Sequence, residues 1–174
     1  MINMIFSGST FSQNIENFTH ATILLTAIFG FFPDVPNFVK DIPTLFPAMS
    51  LKGRIINIHT AKVGTGVSYC HTFIADKDTQ IATIPIGYAD GFDRRFSNYG
   101  GEVLVRGKRC PVVGNVCMDQ AMIDVTGTDA QPGDYAIVFG DQLPIQELAD
   151  KLQTIPYEVL TSISRRVQRV YFYE

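Results

Sequence analysis

Between residues 49 and 139, short runs in which apolar and polar side chains roughly alternate follow one another at close spacing, separated by Gly, Asn or Asp. A period of two is what a half-buried strand requires, because successive side chains point to opposite faces of a sheet. Leu51-Lys52-Gly53-Arg54-Ile55-Ile56-Asn57-Ile58-His59 reads as the first such strand. Further strands are expected over 80–86, 101–105, 108–113, 121–125 and 135–139, with turns at Arg106-Gly107, Gly127-Thr128 and Pro132-Gly133-Asp134. Many short strands at this spacing favour a small barrel or sandwich. After Pro144 the period lengthens: Ile145, Leu148, Ala149 and Leu152 fall on one helical face, and Pro156 suits the first turn of a second short helix running through Ile163. Residues 165–173 close the chain as a strand. The expected fold is mainly β and barrel-like, with two short helices near the C-terminus.

The first 46 residues have a different character. No Lys or Arg precedes Lys40, and the stretch to Asn17 is rich in Ser, Thr, Asn and Gln, a composition with little independent order. The apolar run from Ala21 to Phe32 has no basic flank and is shorter than the roughly 20 residues a bilayer needs, so it reads as buried core or a truncated strand rather than a membrane span or signal peptide. Pro33, Pro36, Pro43 and Pro47 then interrupt any regular element, since each lacks a backbone donor and restricts the residue before it. The expected organisation is a remnant or linker over 1–46 and one β domain over 47–174.

A net charge of −3 over 174 residues gives no electrostatic reason to expect nucleic acid, whose binders carry clustered basic surface. Cys70, Cys110 and Cys117 are odd in number and lack metal-ligand or CxxC spacing, which fits a reducing compartment, so a cytoplasmic protein is expected. His20, His59 and His71 show no ligand spacing, and no metal is expected.

Four places hold candidate chemistry. Tyr69 follows Gly64-Thr65-Gly66-Val67-Ser68, where glycines let the backbone turn and hold a side chain at an exposed edge. Tyr88 stands in Ile86-Gly87-Tyr88-Ala89-Asp90-Gly91, Met118 and Asp119 in Gly114-Asn115-Val116-Cys117-Met118-Asp119-Gln120, and Tyr157 in Pro156-Tyr157-Glu158-Val159. Taken singly, these are a packed aromatic, a strand-end aromatic, a core methionine and an amphipathic-helix residue.

Taken in chain order, Val67-Ser68-Tyr69, Gly87-Tyr88-Ala89-Asp90-Gly91 and Met118-Asp119-Gln120 resemble the C-terminal β domain of the alanine racemases, pyridoxal 5'-phosphate enzymes that interconvert L- and D-alanine and supply D-alanine for cell-wall peptidoglycan. The resemblance covers 47–174; Thr26-Ala27-Ile28-Phe29-Gly30-Phe31-Phe32-Pro33 is a weaker echo of the segment that ends the family's N-terminal barrel. It implies Tyr69 as a catalytic acid/base. Racemisation takes a proton from one face of the α-carbon and returns one to the other, so two such groups must oppose each other across the substrate. It implies that Met118 and Asp119 meet the substrate carboxylate, with the Met118 amide as donor, that Tyr88 lines the substrate corridor, and that Tyr157 donates to the cofactor phosphate. Two positions depart from the family pattern: Cys70, where relatives usually have glycine, and Asn115, where many have a basic residue.

The family's second base is the lysine that holds the cofactor, in a Lys-Ala-Asn-like motif of its N-terminal α/β barrel. No such motif occurs here, and Lys40, Lys52, Lys62, Lys77, Lys108 and Lys151 lie in linker, strand, turn or surface-helix contexts. In the family, each site combines one subunit's barrel with the partner's C-terminal domain, which would place Tyr69 and Met118 in trans and Tyr157 in cis. The implied function is that of a C-terminal racemase fragment, inactive alone, acting as a homodimer or paired with a racemase barrel on alanine. Alternatives are a non-catalytic dimerisation or interaction module and a related pyridoxal-phosphate racemase or decarboxylase.

Overall fold

The computed structural model describes the backbone of residues 2–7 and the whole of residues 48–172. The apolar run at 21–32, the prolines from 33 to 47 and the barrel-like echo at 26–33 lie outside the described residues. In chain order the strands are β1 (Ile2–Ser7), β2 (Met49–Arg54), β3 (Asn57–Ala61), β4 (Gly66–Val67), β5 (Phe73–Ile74), β6 (Thr79–Ile84), β7 (Glu102–Val105), β8 (Lys108–Pro111), β9 (Ala121–Asp124), β10 (Tyr135–Phe139) and β11 (Gln168–Phe172). Helices α1 (Ile145–Leu152) and α2 (Pro156–Ser162) stand between β10 and β11. Among the described residues the fold is mostly strand with two short α-helices, as the periodicity requires.

Six strands form one sheet in the order β11-β1-β2-β10-β7-β8, three form a second in the order β3-β6-β9, and β4 pairs with β5 alone. Among the described residues every pairing is antiparallel except β1 with β11. A bridge between Val112 and Ile123 joins the two larger sheets where β8 ends. Strand β1 fills the place between β2 and β11, an element the composition of this segment does not announce.

Residues 51–59 do not form one strand. The chain changes sheets at Ile55 and Ile56: the Ile55 amide donates to Asp134 O at 2.8 Å, in the loop before β10, and the next amide donates to Thr83 O of β6 at 2.9 Å. The apolar–polar alternation of residue type fails at this pair, since both are isoleucine. Ile55 still enters the core at 2% exposure and Ile56 points out at 54%, and in–out alternation breaks only at the next residue, Asn57, which is exposed as well. Two consecutive isoleucines, read as continuous strand, mark the corner that places β3 and β6 on the second sheet.

The main core lies between the sheets and α1, with Leu51, Ile84, Val103, Val105, Ile123 and Phe139 almost wholly enclosed. Helix α1 buries Ile145, Leu148, Ala149 and Leu152, the 3.6-period face read from the sequence, and ends where Gln153 adopts a left-handed conformation with φ 56°. A smaller cluster of Ala61, Val67, Ala75, Ile81, Val113, Cys117 and Met122 packs apart from it. It seats the ribbon β4–β5 and the approach to Met118, so two of the candidate segments share one apolar floor.

Burial also sorts the thiols. Cys110 and Cys117 are enclosed and Cys70 is exposed, and desolvation pushes the Cys110 thiol from 9.0 up to about 11. A charged disulfide reagent is expected to titrate one thiol, Cys70, in the folded chain at pH 8 and all three after denaturation. Because native Cys110 keeps its proton at pH values where the unfolded chain has released it, its contribution to stability is complete below about pH 9. It is lost as pH rises to about 11, and denaturation midpoints across that window check the sign.

Candidate active site

Strands β4 and β5 pair through Gly66 with Ile74 and Val67 with Phe73, and the loop between them carries Tyr69. Its shape does not come from glycine. Ser68 has φ 67° and ψ −177°, a region almost restricted to glycine, and Cys70 and His71 follow with φ 61° and 48°. Gly66 instead makes room: a Cβ there would lie 2.4 Å from Cγ of His71. Cys70 has the left-handed backbone that a glycine, the residue the family resemblance implies at this position, would adopt without steric cost.

Strain of this kind persists only when the surroundings fix it, and Asn115 does so. Ser68 Oγ donates to Asn115 O at 2.7 Å, and Asn115 Nδ2 donates to Tyr69 O at 2.9 Å. A Cβ on Gly114 would lie 2.5 Å from Cβ of Ser68, so the loop lies directly on the segment leading to Met118. The backbone of Tyr69 is held on both sides while its side chain stands 67% exposed. The bracing role of Asn115, 46 residues away, was not legible in the sequence.

The second contact joins Met118 to Tyr88. Cys117 N donates to Gln120 O at 2.9 Å, closing a tight turn that buries the cysteine and leaves Met118 54% exposed. The Tyr88 and Ala89 amides donate to Cys117 O and Met118 O, each at 3.0 Å. Gly87 allows this approach, since a Cβ there would stand 2.3 Å from both carbonyl oxygens. Among the described residues the Met118 amide has no acceptor, so it remains a donor toward solvent.

Two residues to which the sequence assigns no role of their own, Asp90 and Arg166, complete the arrangement. Asp90, 2% exposed, accepts from Gly87 N at 2.9 Å on one carboxylate oxygen and from Arg166 Nε at 2.6 Å on the other. A terminal guanidinium nitrogen of Arg166 donates to Asp119 Oδ1 at 2.5 Å. The hydrogen bond to Asp90, and after it that to Asp119, raises the Arg166 pKa well above the ordinary arginine value. A carboxylate in the apolar turn Tyr88-Ala89-Asp90-Gly91 was the available signal: it cannot be buried without a donor or a cation.

Tyr157 is set one helix away, half-buried in the first turn of α2, which Pro156 opens. The last turn of the same helix meets the Tyr88 turn, because a Cβ on Gly91 would lie 2.6 Å from Ser162 O. There, Tyr88, Gly91, Asp93, Arg94 and Ser162 line a cavity of about 370 Å³. From Tyr157 to Ser162 the helix rises about 7.5 Å. The structure therefore joins the Tyr69 loop to the Met118 loop through the side chains of Ser68 and Asn115, joins the Tyr88 turn to the loop of Met118 and Asp119 through backbone hydrogen bonds, and reaches Tyr157 through α2.

None of the lysines whose partners are resolved belongs to this face. Lys62 pairs with Asp78 at 2.6 Å, Lys108 donates to Gly127 O, Lys151 pairs with Glu102, and Lys52 lies over the Tyr135 ring. Among the described residues no group of His, Cys, Asp and Glu could hold a metal ion, and no helix is long and apolar enough to cross a membrane.

Residues 48–171 match the family model described as alanine racemase, C-terminal domain. The chain is 48% identical over 151 residues to alanine racemase 2 of Caldanaerobacter subterraneus subsp. tengcongensis, covering 84% of this chain and 38% of the relative. Among solved structures, the Clostridium difficile 630 alanine racemase in complex with cycloserine superposes with a TM-score of 0.77 at 41% identity, covering 84% of this chain and 39% of that one. The Bacillus anthracis alanine racemase with bound L-Ala-P gives 0.76 at 39% identity, covering 84% and 38%. The Bartonella henselae alanine racemase with covalently bound pyridoxal phosphate gives 0.75 at 31% identity, covering 84% and 40%. The chain thus spans about two fifths of the length of the relatives it matches. On this match across the whole β domain, the chain belongs to the alanine racemase family and carries its C-terminal domain.

Proposed function

We propose that this chain supplies one face of an alanine racemase site, to be completed by an α/β barrel from another subunit. The observation that carries the reading is the mutual docking of three separate segments through Asn115, Cys117 and Met118, which leaves the side chains of Tyr69, Tyr88 and Met118 exposed on the resulting surface. Tyr69 exchanges a proton with the α-carbon of alanine from its side, its backbone fixed and its phenol free to meet the substrate. The Met118 amide donates to a substrate carboxylate oxygen, and Tyr88 borders the approach. L-Ala-P in the Bacillus anthracis relative supports alanine as the substrate.

Pyridoxal phosphate, covalently bound in the Bartonella henselae relative, would make the α-proton acidic enough to move. The residues present fit the outer part of that group and not its anchor: Tyr157, whose hydroxyl is buried in this structure, is the residue that would donate to a phosphate oxygen, and no lysine with a resolved partner reaches this face. Tyr157→Phe, in a chain paired with a separately expressed racemase barrel, is expected to weaken retention of pyridoxal phosphate by about tenfold, the worth of one hydrogen bond to a charged acceptor. Equal retention by parent and variant, followed by visible absorbance during dialysis, would remove that contact.

The reading is tested by alanine racemisation with added pyridoxal phosphate, by the chain alone and by the chain mixed with the barrel. Activity in the mixture only is expected. Activity of the chain alone would require a lysine on this chain to serve as anchor, and binding to the barrel without racemisation would favour an interaction module.

A further inference from the structure

We propose that Arg166 is a positioning residue that locks the Tyr88 turn to the Met118 loop and neutralises Asp119 beside the Met118 amide. This rests on the racemase reading above for what the face binds. The hydrogen bonds form a closed circuit. Gly87 N holds Asp90, the amides of Tyr88 and Ala89 hold the carbonyls of Cys117 and Met118, and Arg166 spans from Asp90 to Asp119 at the far side. Ser164 N donates to Asp90 O at 3.1 Å, so the segment carrying Arg166 is itself pinned to the turn it braces.

Asp90 is enclosed, with one oxygen on Gly87 N and the other on Arg166, whereas Asp119 is largely exposed. The two carboxylates therefore play different parts. Asp90 anchors the guanidinium, and the guanidinium holds Asp119. A planar guanidinium can reach two carboxylates in one geometry, which a point-like ammonium cannot.

The position of Asp119 gives the brace a second consequence. It directly follows Met118, so a carboxylate bound at the Met118 amide approaches a side chain of like charge. Left unpaired, Asp119 would repel that anion; its hydrogen bond to Arg166 places a positive charge beside it and weakens that repulsion, within the screening that so exposed a pair undergoes. Loss of Arg166 therefore weakens binding of an anionic substrate in two ways, by loosening the loop and by uncovering a negative charge.

Two readouts separate the brace from general stability. In the full chain, Arg166→Gln is expected to speed amide hydrogen exchange at Tyr88 and Ala89 by about tenfold or more. Exchange along the β6–β9 ladder, from Ile81 to Ile84, should stay unchanged. Arg166→Lys should fall between parent and Arg166→Gln. Unchanged exchange at Tyr88 and Ala89, or an equal rise throughout β6 and β9, would overturn the proposal. In the mixture with a racemase barrel, Arg166→Gln should raise KM for alanine about tenfold with kcat within about threefold of the parent. Adding Asp119→Asn to that variant should recover part of the lost affinity. An unchanged KM, or no recovery on removing the Asp119 charge, contradicts the electrostatic role. A parent mixture that does not racemise contradicts the racemase reading alone, and the exchange result still decides whether Arg166 braces the loop.

Discussion

Tyr69→Phe is expected to lower racemisation by a racemase barrel paired with this chain by about three orders of magnitude, the range that a positioned general acid or base contributes. Folding should be nearly unaffected. The ring stands 67% exposed, and the contacts that hold the loop, Ser68 to Asn115 and Asn115 to the Tyr69 carbonyl, do not use the phenol. Exposed substitutions of this kind usually change stability by about 0.5 kcal/mol or less. Thermal unfolding and initial rates in both directions check the two halves of the expectation. Unchanged racemisation would remove Tyr69 from the mechanism.

Gly87→Ala should have the largest effect on the fold of the site. The added Cβ would stand 2.3 Å from the carbonyl oxygens of Cys117 and Met118, both backbone atoms that cannot move aside without breaking the bonds from Tyr88 and Ala89. A loss of about 3 kcal/mol is expected, the upper part of the range for overpacking, seen as a melting temperature lower by about 6–12 °C. Gly53→Ala is the control: its nearest neighbour, Cδ of Pro85, lies 3.9 Å away. It should be neutral or slightly stabilising. Equal melting temperatures for Gly87→Ala and the parent would mean that the Tyr88 turn does not rest on the Met118 loop.

What the sequence disclosed and what it concealed follow from the range of the interactions. Period-two runs gave β6, β7, β9 and β10 to within one or two residues at each end, and the 3.6-residue spacing of Ile145, Leu148, Ala149 and Leu152 gave the buried face of α1. Both signals are local. The corner at Ile55 and Ile56 is not, because it depends on which distant carbonyl receives each amide, Asp134 O or Thr83 O. The candidate site divides in the same way. Its motifs stand in short segments that could be read directly, but their bracing comes from Asn115 acting over 46 residues and Arg166 acting over 76.

The Tyr69 loop shows a further limit. Glycines were read as the residues that turn it, yet the left-handed backbone falls on Ser68, Cys70 and His71, and Gly66 serves by lacking a Cβ beneath His71. Tertiary contacts can impose a conformation that residue type alone argues against.

The central claim is that this chain presents one of two opposed acid/base groups to alanine. Its most direct test is α-hydrogen exchange in D2O, followed separately for L- and D-alanine, with the barrel paired to the parent or to the Tyr69→Phe chain. The parent pair should exchange both enantiomers. The variant should lose exchange of one while retaining it for the other, because only one face has lost its base. Retention of both would contradict the account, since the proton on that face would then be moved by a group other than Tyr69.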